Sequence, residues 1–465
     1  MFFILNAFLM PVQTHAQTVK QPNFIIIFAD DLGYGDLSCY GHPTIHTPKL
    51  DQMAAEGMRF TQFYVGANVC TPSRAALLTG RLPVRSGIYG EKSGVFFPNS
   101  ANGLPHSEIT IAQALKKRNY QTALVGKWHL GSLPQYMPLQ YGFDYYFGIP
   151  YSNDMGKVGP SVKVKDRGMP PLPLYQNEKV IEEEPDQTQL TKRYTAEVID
   201  FIRKNKSKPF FMYYANNFPH VPLYASKDFE GKSKRGLYGD VVEELDWSVG
   251  EVLKELKKLK LDKNTFVIFT SDNGPWLMKN LLDETGGSAG LLYEAKASTY
   301  EGGMRVPAIA WWPGTIKPNV ISYAVATTMD LFPTILSMAK AELPKDRVLD
   351  GNDITGLLTG KKDKVTDIVY YYDKGQLYAV RKGQWKAHFT THASYSPEPP
   401  KEHNPPLLYN IEVDPSEQYN VANVNQAVVD ELKKVFEDHV RNVVKAEPLL
   451  DKVVEKQAAA AGNNK

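Results

Sequence analysis

Four short polar clusters in this chain each follow a run of strand-forming residues. Asp30-Asp31 follows Ile25 to Ala29, Gly126-Lys127-Trp128-His129 follows Ala123 to Val125, Asn216-Asn217-Phe218-Pro219-His220 follows Phe210 to Ala215, and Asp272-Asn273-Gly274 follows Phe266 to Ser271. Open α/β sheets bind ligands beyond the carboxyl ends of their strands. If these strands are parallel neighbours, their ends converge on one crevice holding three carboxylates, two histidines, a lysine and an asparagine. Asp30, Asp31, Asp272 and Asn273 are hard oxygen donors, which suit Ca²⁺ or Mg²⁺ better than zinc. Ca²⁺ fits better, because it accepts a loosely arranged mixture of carboxylates, an amide and a substrate oxygen, whereas Mg²⁺ demands near-octahedral order. Taken singly, each cluster reads equally well as a turn or a helix cap. Their repeated position at strand ends is what joins them.

A fifth feature is Cys70-Thr71-Pro72-Ser73-Arg74, a cysteine just before a proline-started helix. Unpaired N–H groups there favour an anion. By itself this allows a low-pKa nucleophilic thiol, or half of a Cys39–Cys70 disulfide. The segment Cys-x-Pro-Ser-Arg-x-x-x-Leu-Thr-Gly from Cys70 to Gly80, with Gly126-Lys127-Trp128-His129-Leu130-Gly131 after it, closely resembles the two signatures of the type I, formylglycine-dependent sulfatases. The run from Tyr64 to Gly131 most resembles arylsulfatase A.

That resemblance implies a sulfuric ester hydrolase in which a maturation enzyme oxidises Cys70 to Cα-formylglycine, so that Cys70 forms no disulfide and Cys39 is a lone buried thiol. It makes Asp30, Asp31, Asp272 and Asn273 the Ca²⁺ ligands, with residue 70 completing the protein's share of the shell. Arg74 holds the formylglycine hydrate, and Lys127 and Lys296 bind the sulfate oxygens. Lys296 is assigned because Lys296-Ala297-Ser298-Thr299-Tyr300-Glu301-Gly302-Gly303 resembles the family's Lys-x-x-x-x-Glu-Gly-Gly segment. Ser152 stands where arylsulfatases place a sulfate-contacting serine. In the implied mechanism the hydrate attacks sulfur with Asp272 as base, protonated His220 is the acid to the leaving oxygen, and His129 is the base that later expels sulfate. The implied substrate is a sulfated saccharide, a galactose or N-acetylgalactosamine sulfate cut from the end of the chain, or an aryl sulfate. Two rival functions use the same residues: a phosphodiesterase or phosphonate monoester hydrolase of the same superfamily, and a non-catalytic sulfated-glycan-binding protein.

The elements that must position these groups follow from hydrophobic periodicity. Strands at Phe24 to Ala29, Gln121 to Val125, Phe210 to Ala215 and Thr265 to Ser271 alternate with helices at Pro48 to Glu56, Thr110 to Arg118, Leu190 to Lys204, Asp240 to Leu259 and Asp330 to Ala339. This predicts an α/β fold with a doubly wound, mostly parallel sheet of the alkaline-phosphatase-like kind that the resemblance implies. From about Asp367 the pattern becomes an antiparallel meander closed by a helix from Gln426 to Lys445, a smaller α+β subdomain. Tyr395 to Pro406 is too proline-rich for regular structure. Together with 151–173 and 281–292 it is an irregular segment placed to shape substrate choice.

The chain has 465 residues, 43% hydrophobic and 22% charged, with 53 basic against 51 acidic side chains and two cysteines. That length exceeds what one hydrophobic core supports, two cysteines make no disulfide scaffold, and a net charge of +2 without a basic run gives no electrostatic case for nucleic acid. Residues 1–16 carry no Lys, Arg, Asp or Glu and read as a secretory signal peptide ending at Ala16, hence an exported, periplasmic or secreted protein without an integral membrane segment. The expected division is a catalytic domain over 17–365, the subdomain over 366–450 and a tail over 451–465.

Overall fold

A computed structural model describes residues 21–157, 169–277 and 286–454. The expected signal peptide and residues 455–465 of the expected tail lie outside them. Among the described residues the large sheet comprises β1 (Asn23–Ala29), β2 (Met58–Tyr64), β3 (Gln121–Gly126), β4 (Tyr145–Gly148), β5 (Pro173–Gln176), β6 (Lys179–Glu183), β7 (Phe210–Ala215), β8 (Thr265–Ser271), β9 (Arg305–Trp311) and β10 (Val320–Thr327). Their spatial order is β10-β2-β9-β8-β1-β7-β3-β4-β5-β6. The central β8-β1-β7-β3-β4 block is parallel, as the alternation of elements predicts; β9 and β5 run antiparallel at its two sides, and β6 pairs antiparallel with β5.

Strand β1, Asn-Phe-Ile-Ile-Ile-Phe-Ala, is buried at every position because the sheet is covered on both faces. Phe24, Ile26 and Phe28 join one apolar core and Ile25, Ile27 and Ala29 join the other. The first core is closed by α2 (Cys70–Thr79), α4 (Ile111–Lys116) and α8 (Leu331–Met338), and the second by α1 (Pro48–Ala55), α5 (Leu190–Lys204) and α6 (Leu237–Lys258). Short α3 (Pro83–Ser86), α7 (Glu301–Met304) and α9 (Thr355–Leu358) complete the layer. Thr110 starts α4 with a capping box, its hydroxyl accepting from the Gln113 amide while the Gln113 side chain accepts from the Thr110 amide.

The second sheet is an antiparallel meander of β11 (Ile368–Asp373), β12 (Gln376–Lys382), β13 (Trp385–Thr391) and β14 (Lys401–Asn410), with α10 (Gln426–Asn442) packed on it. Strand β14 corrects the expectation that Tyr395 to Pro406 is irregular throughout. Pairing with β13 stops at Glu402 and resumes at Leu407, so Pro405 and Pro406 fall in the interruption of an edge strand, where missing N–H groups cost no ladder bond. Residues 446–454 return to the segment that follows α3, with Leu449 N donating to Gly87 O and the Asp451 carboxylate accepting from the amides of Glu91, Lys92 and Ser93.

Helix α10 is anchored by His439, whose ring stacks 3.5 Å from that of Tyr370 and whose Nε2 lies 2.8 Å from the Tyr372 hydroxyl. Burial, with Arg85 nearby, pushes its imidazole down to about 4. An imidazole whose folded value lies below its unfolded one favours the fold at about pH 7 and loses that contribution as the pH falls toward 4. The stability difference between wild type and H439F, measured by thermal melts, is therefore expected to narrow from about pH 7 to about pH 4. A constant difference contradicts a neutral, packed imidazole.

Candidate active site

Strands β8, β1, β7 and β3 are consecutive parallel neighbours, so all four polar clusters emerge at one edge of the sheet. The turns are tied to one another by backbone bonds. Asp30 N donates to Phe218 O, Asp272 N to Ala29 O, and Lys127 N to Ala215 O at 2.7 Å. The last bond requires Gly126, which sits at φ +112°, where a Cβ would meet Ala215 O at 1.9 Å. Helix α2 runs in beneath these turns with every residue buried, and Cys70 is its first residue.

Around Cys70 Sγ stand Lys296 Nζ at 3.3 Å and Asp30 Oδ1 at 3.4 Å. Lys127 Nζ donates to Asp30 Oδ2 at 2.6 Å and to Ser152 Oγ at 3.2 Å, and Lys296 Nζ donates to Asp31 Oδ2 at 2.9 Å. Arg74 donates to Asp272 Oδ2 through Nε at 3.0 Å and Nη2 at 2.7 Å, and to the Lys127 carbonyl through Nη1. Asn273 Nδ2 donates to Asp31 Oδ1 at 2.7 Å. Each residue of this set expected from the sequence lies in the cluster, and each is buried.

The two histidines have defined tautomers. His220 Nδ1 lies 2.5 Å from the Val221 carbonyl and donates to it, leaving Nε2 facing Ser152 Oγ at 3.3 Å and Asp31 Oδ2 at 3.5 Å. His129 Nε2 donates to the Phe96 carbonyl at 2.9 Å, so Nδ1 carries the lone pair, and it is buried with no partner among the described residues. His129 is held at φ +58°, its amide donating to Pro150 O and its carbonyl accepting from Thr71, next to Cys70.

Burial opposes every charge here, and neighbours decide the outcome. Lys127, Arg74 and Lys296 overcome the burial of Asp30 and hold its carboxyl well below the usual range. Burial lifts Asp31 to about 7 against the pull of Lys296, with the like charges of Asp30 and Asp272 adding to the rise. Burial and the charge of Asp30 likewise raise Asp272. Burial pushes the Cys70 thiol well up despite both lysines, so it is a neutral thiol and not an activated thiolate. Burial, then the charge of Lys127 beside His129 and of Lys296 beside His220, drives both imidazoles well below their ordinary value.

Three crowded buried carboxylates repel one another and suit a bound divalent cation. Asn273 Oδ1 is a buried oxygen without a partner among the described residues, aimed from the same turn as Asp272. Ligand atoms of Asp30, Asp31, Cys70 and His220 lie within 4.8 Å of one another. The three carboxylates and the Asn273 amide oxygen, as an all-oxygen set, fit a hard cation.

The model of the family called sulfatase matches residues 22–341, and that of the C-terminal region of aryl-sulfatase matches residues 364–464. The chain belongs to the sulfatase family. It is 42% identical to arylsulfatase A of Homo sapiens over 92% of this chain and 90% of the relative, and 40% identical to N-acetylgalactosamine-6-sulfatase of Rattus norvegicus over 93% and 88%. Among solved structures, Ps i-CgsB in complex with k-i-k-neocarrahexaose superposes with a TM-score of 0.78 at 31% identity, covering 92% of this chain and 94% of that one. The protein is thus an enzyme that hydrolyses sulfate esters, built as the mostly parallel sheet with a C-terminal antiparallel subdomain.

In this sulfatase Cys39 is half-buried and free, and burial beside Asp51 lifts its thiol to about 12. No disulfide joins it to Cys70. The Glu-Gly-Gly segment that located Lys296 works at a distance from the reacting groups. Gly302 is obligatory because a Cβ would meet Glu294 O at 2.1 Å, and Glu301 points the other way, into the subdomain. Two residues of the site were not singled out by the sequence. Trp276 stands three residues beyond Asn273 with its ring 4.9 Å from that of His220, and Tyr395 stacks on Trp276 at 5.4 Å. Tyr395 fell inside a segment marked as placed to shape substrate choice, but nothing local distinguishes its ring from those of other surface tyrosines. Among the described residues no helix is long and apolar enough to cross a membrane.

Proposed function

We propose that the enzyme removes sulfate from a sulfated saccharide, a galactose or N-acetylgalactosamine sulfate at a chain end, using residue 70 as Cα-formylglycine and a bound Ca²⁺. The observation that carries this reading is the set of cations around residue 70: Lys296 Nζ lies 3.3 Å from its Sγ, and Arg74 and Lys127 both bond the Asp30 carboxylate that touches it. Such a group suits an anion delivered to that atom, and it is far more charge than a structural cysteine needs. The relatives named N-acetylgalactosamine-6-sulfatase and the carrageenan-derived ligand of Ps i-CgsB support the saccharide. The proposed boundaries are a signal peptide over 1–16, a catalytic domain over 17–365, a subdomain over 366–450 and a tail beyond.

Asp30, Asp31, Asp272 and Asn273, with residue 70, would hold the Ca²⁺, which when bound polarises sulfuryl oxygens and favours the ionised form of a nearby hydroxyl. At residue 70 a formylglycine hydrate would supply one hydroxyl to attack sulfur and a second whose deprotonation would break the carbon–oxygen bond to sulfate and restore the aldehyde. Lys127, Lys296 and Ser152 bind and orient the sulfate oxygens. Asp272, its proton affinity raised by burial, accepts the proton of the attacking hydroxyl, and Arg74 fixes that carboxylate through two N–H groups. His220 presents Nε2 to the leaving oxygen. Burial and Lys296 keep this imidazole neutral at rest, so it takes up its proton when the negative charge of the sulfate ester enters beside it. His129 receives the proton of the second hydroxyl at Nδ1, the one ring nitrogen left without a partner.

Two measurements test the reading. Mass spectrometry of the peptide containing residue 70, from protein matured in its native host, is expected to show the aldehyde. The matured enzyme is expected to prefer 4-nitrophenyl sulfate over phenyl phosphonate monoesters. Preference for the phosphonate contradicts the substrate assignment, and a thiol in a preparation without turnover supports a binding protein instead. His220→Ala is expected to slow sulfated sugars about 10²-fold or more while sparing 4-nitrophenyl sulfate, whose leaving group needs little protonation. Equal losses on both substrates contradict the acid role.

A further inference from the structure

A cavity of about 370 Å³ lies where the large domain meets the antiparallel subdomain. That volume falls within the range of small-molecule sites. Val69 and Ala297, the chain neighbours of Cys70 and Lys296, line it, and so does Tyr395, whose ring stacks on Trp276 at 5.4 Å. Trp276 in turn stands 4.9 Å from the ring of His220, so the cavity shares a wall with the sulfate site. Bonds across the seam hold this wall. Ala297 N donates to the Asn68 carbonyl at 2.9 Å, tying the loop of Lys296 to the segment that enters α2. Ser394 Oγ donates to the Lys296 carbonyl at 2.6 Å and Ser394 N to Glu294 Oε2 at 3.0 Å, and they fix Tyr395 at φ +50°, a conformation that bulky side chains rarely adopt.

Two buried polar side chains from the two domains meet in the lining. Asn68 is 2% exposed and Asp373, at the end of β11, is 8% exposed, and Asn68 Nδ2 donates to Asp373 Oδ1 at 3.1 Å. A carboxylate accepts from about four directions and an amide oxygen from about two. Asp373 Oδ2 and Asn68 Oδ1 have no side-chain donor against them among the described residues, so the pair offers acceptors to the cavity. Burial raises the Asp373 carboxyl above its ordinary value, against the opposing pull of Asn68, Lys374 and His392. A donor on a ligand offsets that desolvation. Lys92 and Lys374 also line the cavity, but both are exposed, at its mouth.

We propose that this cavity is a second saccharide subsite, in which Asn68 and Asp373 accept hydrogen bonds from the hydroxyl groups of a neutral sugar joined to the sulfated one. The inference rests on the saccharide sulfatase reading above and extends it: the preferred substrate is at least a disaccharide, held by both domains. Hydroxyl donors match the paired acceptors. A sugar carrying a carboxylate or a second sulfate at that position brings an anion against Asp373 and is disfavoured.

The test compares matured enzyme on 4-nitrophenyl sulfate, on N-acetylgalactosamine 6-sulfate, and on a disaccharide in which that sugar is the non-reducing residue linked to galactose. Wild type is expected to show a kcat/KM about tenfold or more higher for the disaccharide than for the monosaccharide. D373A and N68A are expected to remove most of that advantage through KM, while D373N, which keeps an acceptor oxygen, retains about a third of it or more. Wild type that turns over 4-nitrophenyl sulfate but neither sugar overturns the saccharide reading, and the subsite with it. Wild type that hydrolyses the monosaccharide as well as the disaccharide overturns the subsite alone. So does an advantage that survives in D373A and N68A, or one lost in K92A and K374A but kept in D373A, which assigns it to the cations at the mouth. A loss in D373A that is equally large on 4-nitrophenyl sulfate marks a disturbed sulfate pocket and also overturns the subsite.

Discussion

Replacing Cys70 with alanine is expected to abolish sulfate-ester turnover, by at least about 10⁴-fold, while leaving the fold intact. The size of the loss follows from the surroundings of the side chain. Lys296 and Asp30 contact the Sγ of residue 70, and Arg74 and Lys127 pair with that same Asp30 carboxylate. Burial keeps the unmodified thiol protonated, so the cysteine form is expected to be nearly as inactive as Cys70→Ala. Matured protein, the cysteine form and Cys70→Ala, compared on 4-nitrophenyl sulfate, should differ only between the first and the other two. Thermal melts of all three should agree closely, because the substitution removes one sulfur atom from a polar cluster and not from the apolar core. Cys70→Ser should still bind a sulfated ligand, since the lysines remain. A Cys70→Ala enzyme that retains turnover would falsify the covalent mechanism.

The second large effect concerns stability and lies at the join between the domains. Glu301 accepts from the Tyr371 hydroxyl at 2.8 Å, from Lys386 Nζ at 3.0 Å and from the Tyr64 hydroxyl at 2.7 Å, all fully buried. Arg381 reaches the Tyr64 hydroxyl, and Lys386 also pairs with Glu417 at 2.9 Å. Despite burial, Lys386, Arg305 and Arg381 hold the Glu301 carboxyl down at about 2. Removing one partner of such a buried group leaves cations without a counter-charge, at a cost of about 3–5 kcal/mol. Glu301→Ala is therefore expected to lower the melting temperature by several degrees and to speed amide hydrogen exchange in β11, β12 and β13 before the large sheet. Lys386 Nζ also donates to the Thr299 carbonyl, three residues from Lys296, so the same variant should weaken sulfate binding. Unchanged melting and exchange would show that the network is replaceable by solvent.

These two residues show how differently parts of the site are written in the chain. Cys70, Lys127, His129, Asp272 and Asn273 belong to short local patterns at strand ends or a helix start, and a parallel sheet brings such ends together whatever the details of the intervening segments. Glu301 also belongs to a recognisable segment, but its local context does not say that it faces Tyr371 and Lys386, because those partners lie about 70 and 85 residues away. Proton states were equally illegible. A protonated His220 is a natural expectation for a general acid, whereas burial of the ring beside Lys296 pushes its imidazole well below the ordinary value, an effect no local pattern announces.

The sequence by itself determined the alternation of strand and helix, the antiparallel subdomain and the donor types of the site, because hydrophobic period and residue chemistry are local properties. The order β8-β1-β7-β3, the interrupted proline-bearing edge strand β14, the return of residues 446–454 to the segment that follows α3, and the stacking of Tyr395 on Trp276 beside His220 were decided by tertiary structure. Each is a contact between segments far apart in the chain, selected by packing over the whole molecule and not by the residues on either side.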